Sequence, residues 1–97
     1  MTTEYVLVEF VNLLSMPGRR RLAHSVVANA RANPAIQVVP ATAPLFDAGL
    51  ALHAQRSDKS WSLTDCISFV VMQQRGMTEA LTGDRHFEQA GFTALLR

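Results

Sequence analysis

The chain has 97 residues, 48% hydrophobic and 18% charged, which describes one small domain with a single core and excludes a disordered segment. Its net charge of +1 excludes a global field drawing it to nucleic acid or membrane, so a polyanionic partner would need a local patch. The single cysteine, Cys66, cannot form an internal disulfide and has no Cys or His neighbours at metal spacing; a reducing cytoplasm is the expected setting.

In chain order, Thr2 or Thr3 is placed to cap a helix, and Glu4 stands where a first-turn acid favours the helix dipole. Residues 5–14, YVLVEFVNLL, are apolar nearly all the way round and predict a helix buried on most faces, with Glu9 as its one charge. Met16-Pro17-Gly18 stops it. Arg19-Arg20-Arg21 open a second helix reaching about Ala32, with Leu22, Val26, Val27 and Ala30 as its apolar stripe; Asn33-Pro34 ends it. Residues 36–39, IQVV, read as a β-branched strand closed by Pro40. Thr42 then caps a third helix over 43–54, with Leu45, Phe46, Leu50 and His53 at helical spacing.

The stretch from Ser60 to Phe87 carries the most information. Ser62 caps a fourth helix, with Asp65 three residues on, where a capping box places its acid. Leu63, Cys66, Ile67, Val70 and Val71 form the expected buried stripe, and Gly76 ends the helix. Residues 79–82 read as a strand, Gly83-Asp84 turn into a short helix over 85–90, and 92–95 form a last strand. Strands alternating with helices imply parallel pairing through right-handed crossovers, an α/β sandwich. The strand count is low: three short strands, none before the first helix, and no segment apolar and long enough for the middle of a parallel sheet. The longest apolar runs, Val6–Leu14 and Cys66–Met72, are too short to span a bilayer, and no signal-peptide pattern is present.

Three acids stand out. Asp84 follows a strand directly and begins a helix, at the carboxyl end of a strand, where ligand sites of open α/β sheets collect; it is equally suited to be a helix cap. Asp65 has the same two readings. Glu9 is harder to explain structurally, because an ionised acid buried and unpaired among apolar residues costs several kcal/mol, and no basic residue lies one turn away. Were the three to converge, their repulsion would call for a cation, and an all-carboxylate set suits Mg²⁺ or Mn²⁺. Such an ion activates water for phosphodiester hydrolysis. Arg85 and His86 are candidates for phosphate contact, with His86 also placed beside Asp84 as a possible proton carrier; the plainer reading of such charges is a solvated face.

The segments YVLVEFVNLL and SLTDCISFVVMQQRGMTEALTGDRHFEQAGF, with the β/α order between them, resemble PIN domains, specifically the VapC-type toxins of bacterial toxin–antitoxin pairs. The resemblance covers nearly the whole chain and implies a PIN-like three-layer α/β sandwich with a short parallel sheet. It implies a Mg²⁺- or Mn²⁺-dependent endoribonuclease whose catalytic and metal-binding acids are Glu9, Asp65 and Asp84, accompanied by the hydroxyls of Thr64 and Thr82. RNA as substrate, an antitoxin protein and a second copy in a homodimer are the implied partners.

One departure is large. The family's pattern begins with a strand ending in an aspartate, and the present sequence opens at Met1-Thr2-Thr3, after that pattern. Residues 1–97 are therefore expected to form a single truncated PIN-like domain missing the first, central strand and one metal ligand, with exposed inner sheet edges inviting self-association. The alternative to the ribonuclease is thus a catalytically impaired remnant that only oligomerises or binds an antitoxin.

Overall fold

A computed structural model describes residues 1–80 and 84–96. The chain forms two compact units, residues 1–41 and 42–97.

The first unit is a β–α–α–β run. Strand β1 (Thr2–Thr3) leads into α1 (Glu4–Leu13); α2 (Arg20–Ala32) follows, and then β2 (Val38–Val39). The two strands pair in parallel, Thr2 opposite Val38 and Thr3 opposite Val39. A strand therefore precedes the first helix, where none is expected from the sequence. It is only two residues long and carries no apolar pattern, and its pairing with residues 38–39 supplies the hydrogen bonds that define it. Thr3 also caps α1, its hydroxyl accepting from Val6 N–H at 3.2 Å. Glu4 bridges the unit: one carboxylate oxygen accepts from the Ala41 amide and the other lies 3.5 Å from Arg31 Nη2. The expected strand over 36–39 is shortened because Asn33 begins a turn. Its side chain accepts from Ala35 N–H and its carbonyl from Ile36 N–H, so those amides are turned away from a sheet.

Helix α1 departs from expectation. None of its residues is buried, and Glu9 is exposed. In α2 the buried seam runs through Ala23, Val27 and Ala30, with only Ala23 fully buried, while Leu22 and Val26 face solvent. The expected stripe is thus rotated about the helix axis toward the small residues.

The second unit runs α3 (Ala43–Gln55), α4 (Leu63–Gln74), β3 (Glu79–Ala80), α5 (Arg85–Gln89) and β4 (Thr93–Ala94). Strands β3 and β4 pair in parallel, Glu79 opposite Thr93 and Ala80 opposite Ala94. Thr42 caps α3, accepting from Leu45 N–H. Helices α3 and α4 pack closely where Gly49 meets Ile67; a Cβ on Gly49 would collide with Ile67 Cγ1. The buried residues of α3 are accordingly Leu45 and Gly49, whereas Phe46, Leu50 and His53 are exposed.

Phe69 is the centre of the core. It is fully buried and lies edge-on to Trp61 at 5.0 Å and to Phe87 at 4.9 Å, with Phe92 tilted against it at 5.7 Å. Cys66 and Met72 complete this buried cluster. The Trp61 indole N–H donates to Gln89 Oε1 at 3.0 Å, tying the start of α4 to the end of α5. Phe69 and Met72 lie outside the stripe read from the sequence. Helix α4 is covered on two sides, by α3 through Ile67 and by the β3–α5–β4 segment through Phe69, so its buried arc is wider than one stripe.

Candidate functional site

The site is built where α4 and α5 begin. Ser62 and Asp65 form a complete capping box: Asp65 N–H donates to Ser62 Oγ at 3.0 Å, and Ser62 N–H donates to Asp65 Oδ2 at 3.1 Å. Asp84 caps α5, its Oδ1 accepting from His86 N–H at 2.9 Å. Both aspartates are therefore helix caps, as one of the two sequence readings has it.

They are also neighbours. His86 Nδ1 lies 3.0 Å from Asp65 Oδ2 and 3.7 Å from Asp84 Oδ1, so one imidazole bridges two carboxylates from two helix starts. Ligand atoms of Asp65, Asp84 and His86 all lie within 4.8 Å of one another. The side chains of Asp65 and His86 are about one-fifth exposed and that of Asp84 is 43% exposed, which makes the cluster a shallow, solvent-reached site. The caps explain how this happens. A cap holds its carboxylate at a fixed place relative to the helix start, and the aromatic core under α4 and α5 sets the two starts side by side.

The structure places His86 with Asp65 and Asp84, an imidazole beside two of the three carboxylates inferred from sequence. Proximity of His86 to Asp84 is legible in the spacing of two residues; its bond to Asp65, 21 residues away, is not. With a carboxylate as acceptor, the neutral imidazole keeps its proton on Nδ1 and presents Nε2 as the open acceptor. Two carboxylates and an imidazole nitrogen fit a divalent cation that tolerates mixed O and N donors, such as Mn²⁺, as well as Mg²⁺ held through the oxygens.

The remaining sequence candidates divide as follows. Glu9 is in the first unit, on the exposed side of α1 and without a hydrogen bond or ion pair among the described residues. The cost of burying it, which drew attention to it, does not arise. Thr64 lies half-buried in the first turn of α4, next to Asp65, and Arg85 is exposed beside the cluster. Thr82 lies outside the described residues.

Three comparisons bear on this arrangement. The sequence matches the PIN domain family over residues 1–93. This chain belongs to the PIN domain family. The PIN domain described here is also 30% identical over 95 residues to the 23S rRNA-specific endonuclease VapC20 of Mycobacterium tuberculosis, in strains CDC 1551 / Oshkosh and ATCC 25618 / H37Rv; the match takes in 95% of this chain and 70% of the relative. The crystal structure of that VapC20, a Sarcin-Ricin loop cleaving toxin, is similar at a TM-score of 0.86 and 29% identity, covering 98% of this PIN domain and 72% of that chain. The fold expected from the resemblance, PIN-like α/β with short parallel sheets, is the fold observed, with two separate two-stranded sheets among the described residues. Among those residues no helix is long and apolar enough to cross a membrane.

Proposed function

We propose that this PIN domain is a divalent-metal-dependent endoribonuclease of toxin–antitoxin type, hydrolysing a phosphodiester of RNA in the cytoplasm. One observation carries the reading: two helix-capping aspartates from separate elements converge with a histidine on one shallow, solvent-reached spot. Neither cap needs the other, so helix stability alone does not account for the convergence.

Asp65 and Asp84, with His86, are the residues that would hold the ion. A bound divalent cation supplies Lewis acidity toward the phosphodiester and a more acidic water at neutral pH. Asp65 Oδ2 is committed to Ser62 N–H and His86 Nδ1, which leaves Oδ1 directed by two fixed bonds rather than by free rotation. His86, held at Nδ1 by Asp65, has Nε2 as the one ring atom that would face the ion. Arg85, exposed at the first position of α5, is placed to meet a phosphate oxygen. Thr64 and Thr82 are the accompanying hydroxyls. Glu9, on the first unit, is the further acid that the family resemblance implies for catalysis, and its side chain is exposed.

An antitoxin and a second copy of the chain are the proposed protein partners. The exposed apolar side chains of the first unit, Val8, Leu13 and Met16 on and after α1, and Leu22 and Val26 on α2, support an association surface.

Cleavage of labelled RNA with Mn²⁺, compared with chelator, is the deciding measurement. Asp84→Asn and Asp65→Asn are each expected to lower the rate by about 10²-fold or more, and Glu9→Gln to lower it as well. Cleavage unchanged by Asp84→Asn would sink the catalytic reading and leave a domain that only binds partners.

A further inference from the structure

Residues 10–46 contain no acid, while they hold four arginines, at 19, 20, 21 and 31, and His24. This is the longest one-signed stretch of the chain and it is centred on α2. The first unit as a whole carries four arginines against Glu4 and Glu9, net +2; the second carries five Lys or Arg against six acids, net −1, which together give the +1 of the chain.

The basic residues share a flank. At 100° per residue, Arg20, Arg31 and His24 fall within about 40° of one another on α2, and Arg21 about 60° further round. All four are exposed, and the seam of Ala23, Val27 and Ala30 lies to one side of them. Arg31 has one loose partner, Glu4 at 3.5 Å, with the guanidinium side 63% exposed. Arg20, Arg21 and His24 make no ion pair among the described residues. From Arg20 to Arg31 the helix rises roughly 16 Å, the reach of two to three backbone phosphates.

Helix stability does not ask for this arrangement. Positive side chains at a helix start oppose the dipole, α2 has no acid in its first turn, and its capping residue Arg19 makes no side-chain cap bond. The charges at positions 19–21 therefore weaken the isolated helix slightly, Arg31 in the last turn being favourably placed, and a polyanion would reverse that sign.

We propose that the Arg20–Arg21–His24–Arg31 flank of α2 is a docking surface for the sugar–phosphate backbone of RNA, a grip carried by a different unit from the one that holds the aspartate–histidine cluster. It rests on the reading of RNA as substrate, but on none of the residues assigned to the cleavage site. Arginines gripping backbone phosphate position a strand without reading its bases, so affinity depends on salt rather than sequence.

The test uses the full chain with chelator present, so that binding is measured apart from cleavage. A labelled single-stranded RNA of mixed sequence is titrated at several salt concentrations against the parent and Arg20→Gln/Arg21→Gln, with circular dichroism to verify that the exposed substitutions leave the fold intact. The double variant is expected to bind about tenfold more weakly at low salt, and the slope of log K against log salt to fall in magnitude by about 1.4, two phosphates' worth. An unchanged affinity and slope overturns the proposal, as does a parent chain that binds no RNA. Loss of binding to a poly-glutamate peptide with RNA binding intact also overturns it, and assigns the flank to an acidic protein. The two readings separate cleanly: loss of RNA affinity in the arginine variant, with no cleavage by the parent in Mn²⁺, leaves the grip standing and removes the enzyme.

Discussion

Residues 1–41 and 42–97 are built on different principles. The second unit packs Trp61, Cys66, Phe69, Met72 and Phe92 into an aromatic-centred core, and the aspartate–histidine cluster rests on the helices that core joins. The first unit buries only Thr3, Ala23 and Val39, yet holds seven of the eleven exposed large hydrophobics, Leu13 at 74% being the extreme. What order it has comes from local and polar ties: the Thr3 cap, the two-residue parallel pair, and Glu4 reaching Ala41 and Arg31. A site that must hold side chains to within a fraction of an ångström belongs on the self-packed unit. The surface proposed for partners lies on the other, where apolar and basic side chains are exposed.

The sharpest way to break this contrast is to cut each unit at its most telling apolar residue. Phe69→Ala removes the ring at the centre of three aromatic contacts and should cost about 3–5 kcal/mol, seen as a large fall in the urea midpoint. Leu13→Ser, at an exposed position, should stay within about 0.5 kcal/mol of the parent. Equal losses would show that both units depend on one shared core. A smaller effect is expected at the α3–α4 contact. Gly49→Ala gains helix propensity of about 1 kcal/mol but drives a Cβ into the buried Ile67, whose Cγ1 is too near its backbone to swing away, and overpacking of this kind costs about 1–3 kcal/mol. Net destabilisation is the expected result, and its cost should shrink in an Ile67→Ala background, which lacks the clashing γ carbon. The smallest effect concerns Cys66. Burial pushes its thiol up, with the Asp65 carboxylate adding to the rise. The folded chain thus holds this proton more tightly than the unfolded one. The contribution is fully present below the ordinary thiol range and is lost as pH rises through the folded value. Alkylation at pH 8 should be at least about tenfold slower than in urea, and stability should decline modestly in more alkaline buffer. Alkylation as fast as in urea would mean that the core of the second unit opens readily.

How much was legible follows from the range of the interaction concerned. The capping residues Thr3, Thr42, Ser62 with Asp65, and Asp84 were each readable, because a cap is a bond between residues two or three apart. Helix spans were readable for the same reason, to within a residue or two. Burial was not. The run YVLVEFVNLL reads as a core helix, yet α1 buries none of its residues, because apolar periodicity states what a helix needs covered and not what covers it. Phe69 lies outside the stripe that periodicity predicts because a second packed side widens the buried arc of α4.

For the acids, then, sequence by itself determined that Asp65 and Asp84 begin helices; their grouping with Glu9 is an implication of the family resemblance and belongs to the proposed function. Only the tertiary structure decided that His86 completes the pair, its Nδ1 3.0 Å from Asp65 across 21 residues of chain. The reason is physical: a cap is settled by its own turn of backbone, whereas the distance between two caps is settled by the aromatic side chains packed beneath them.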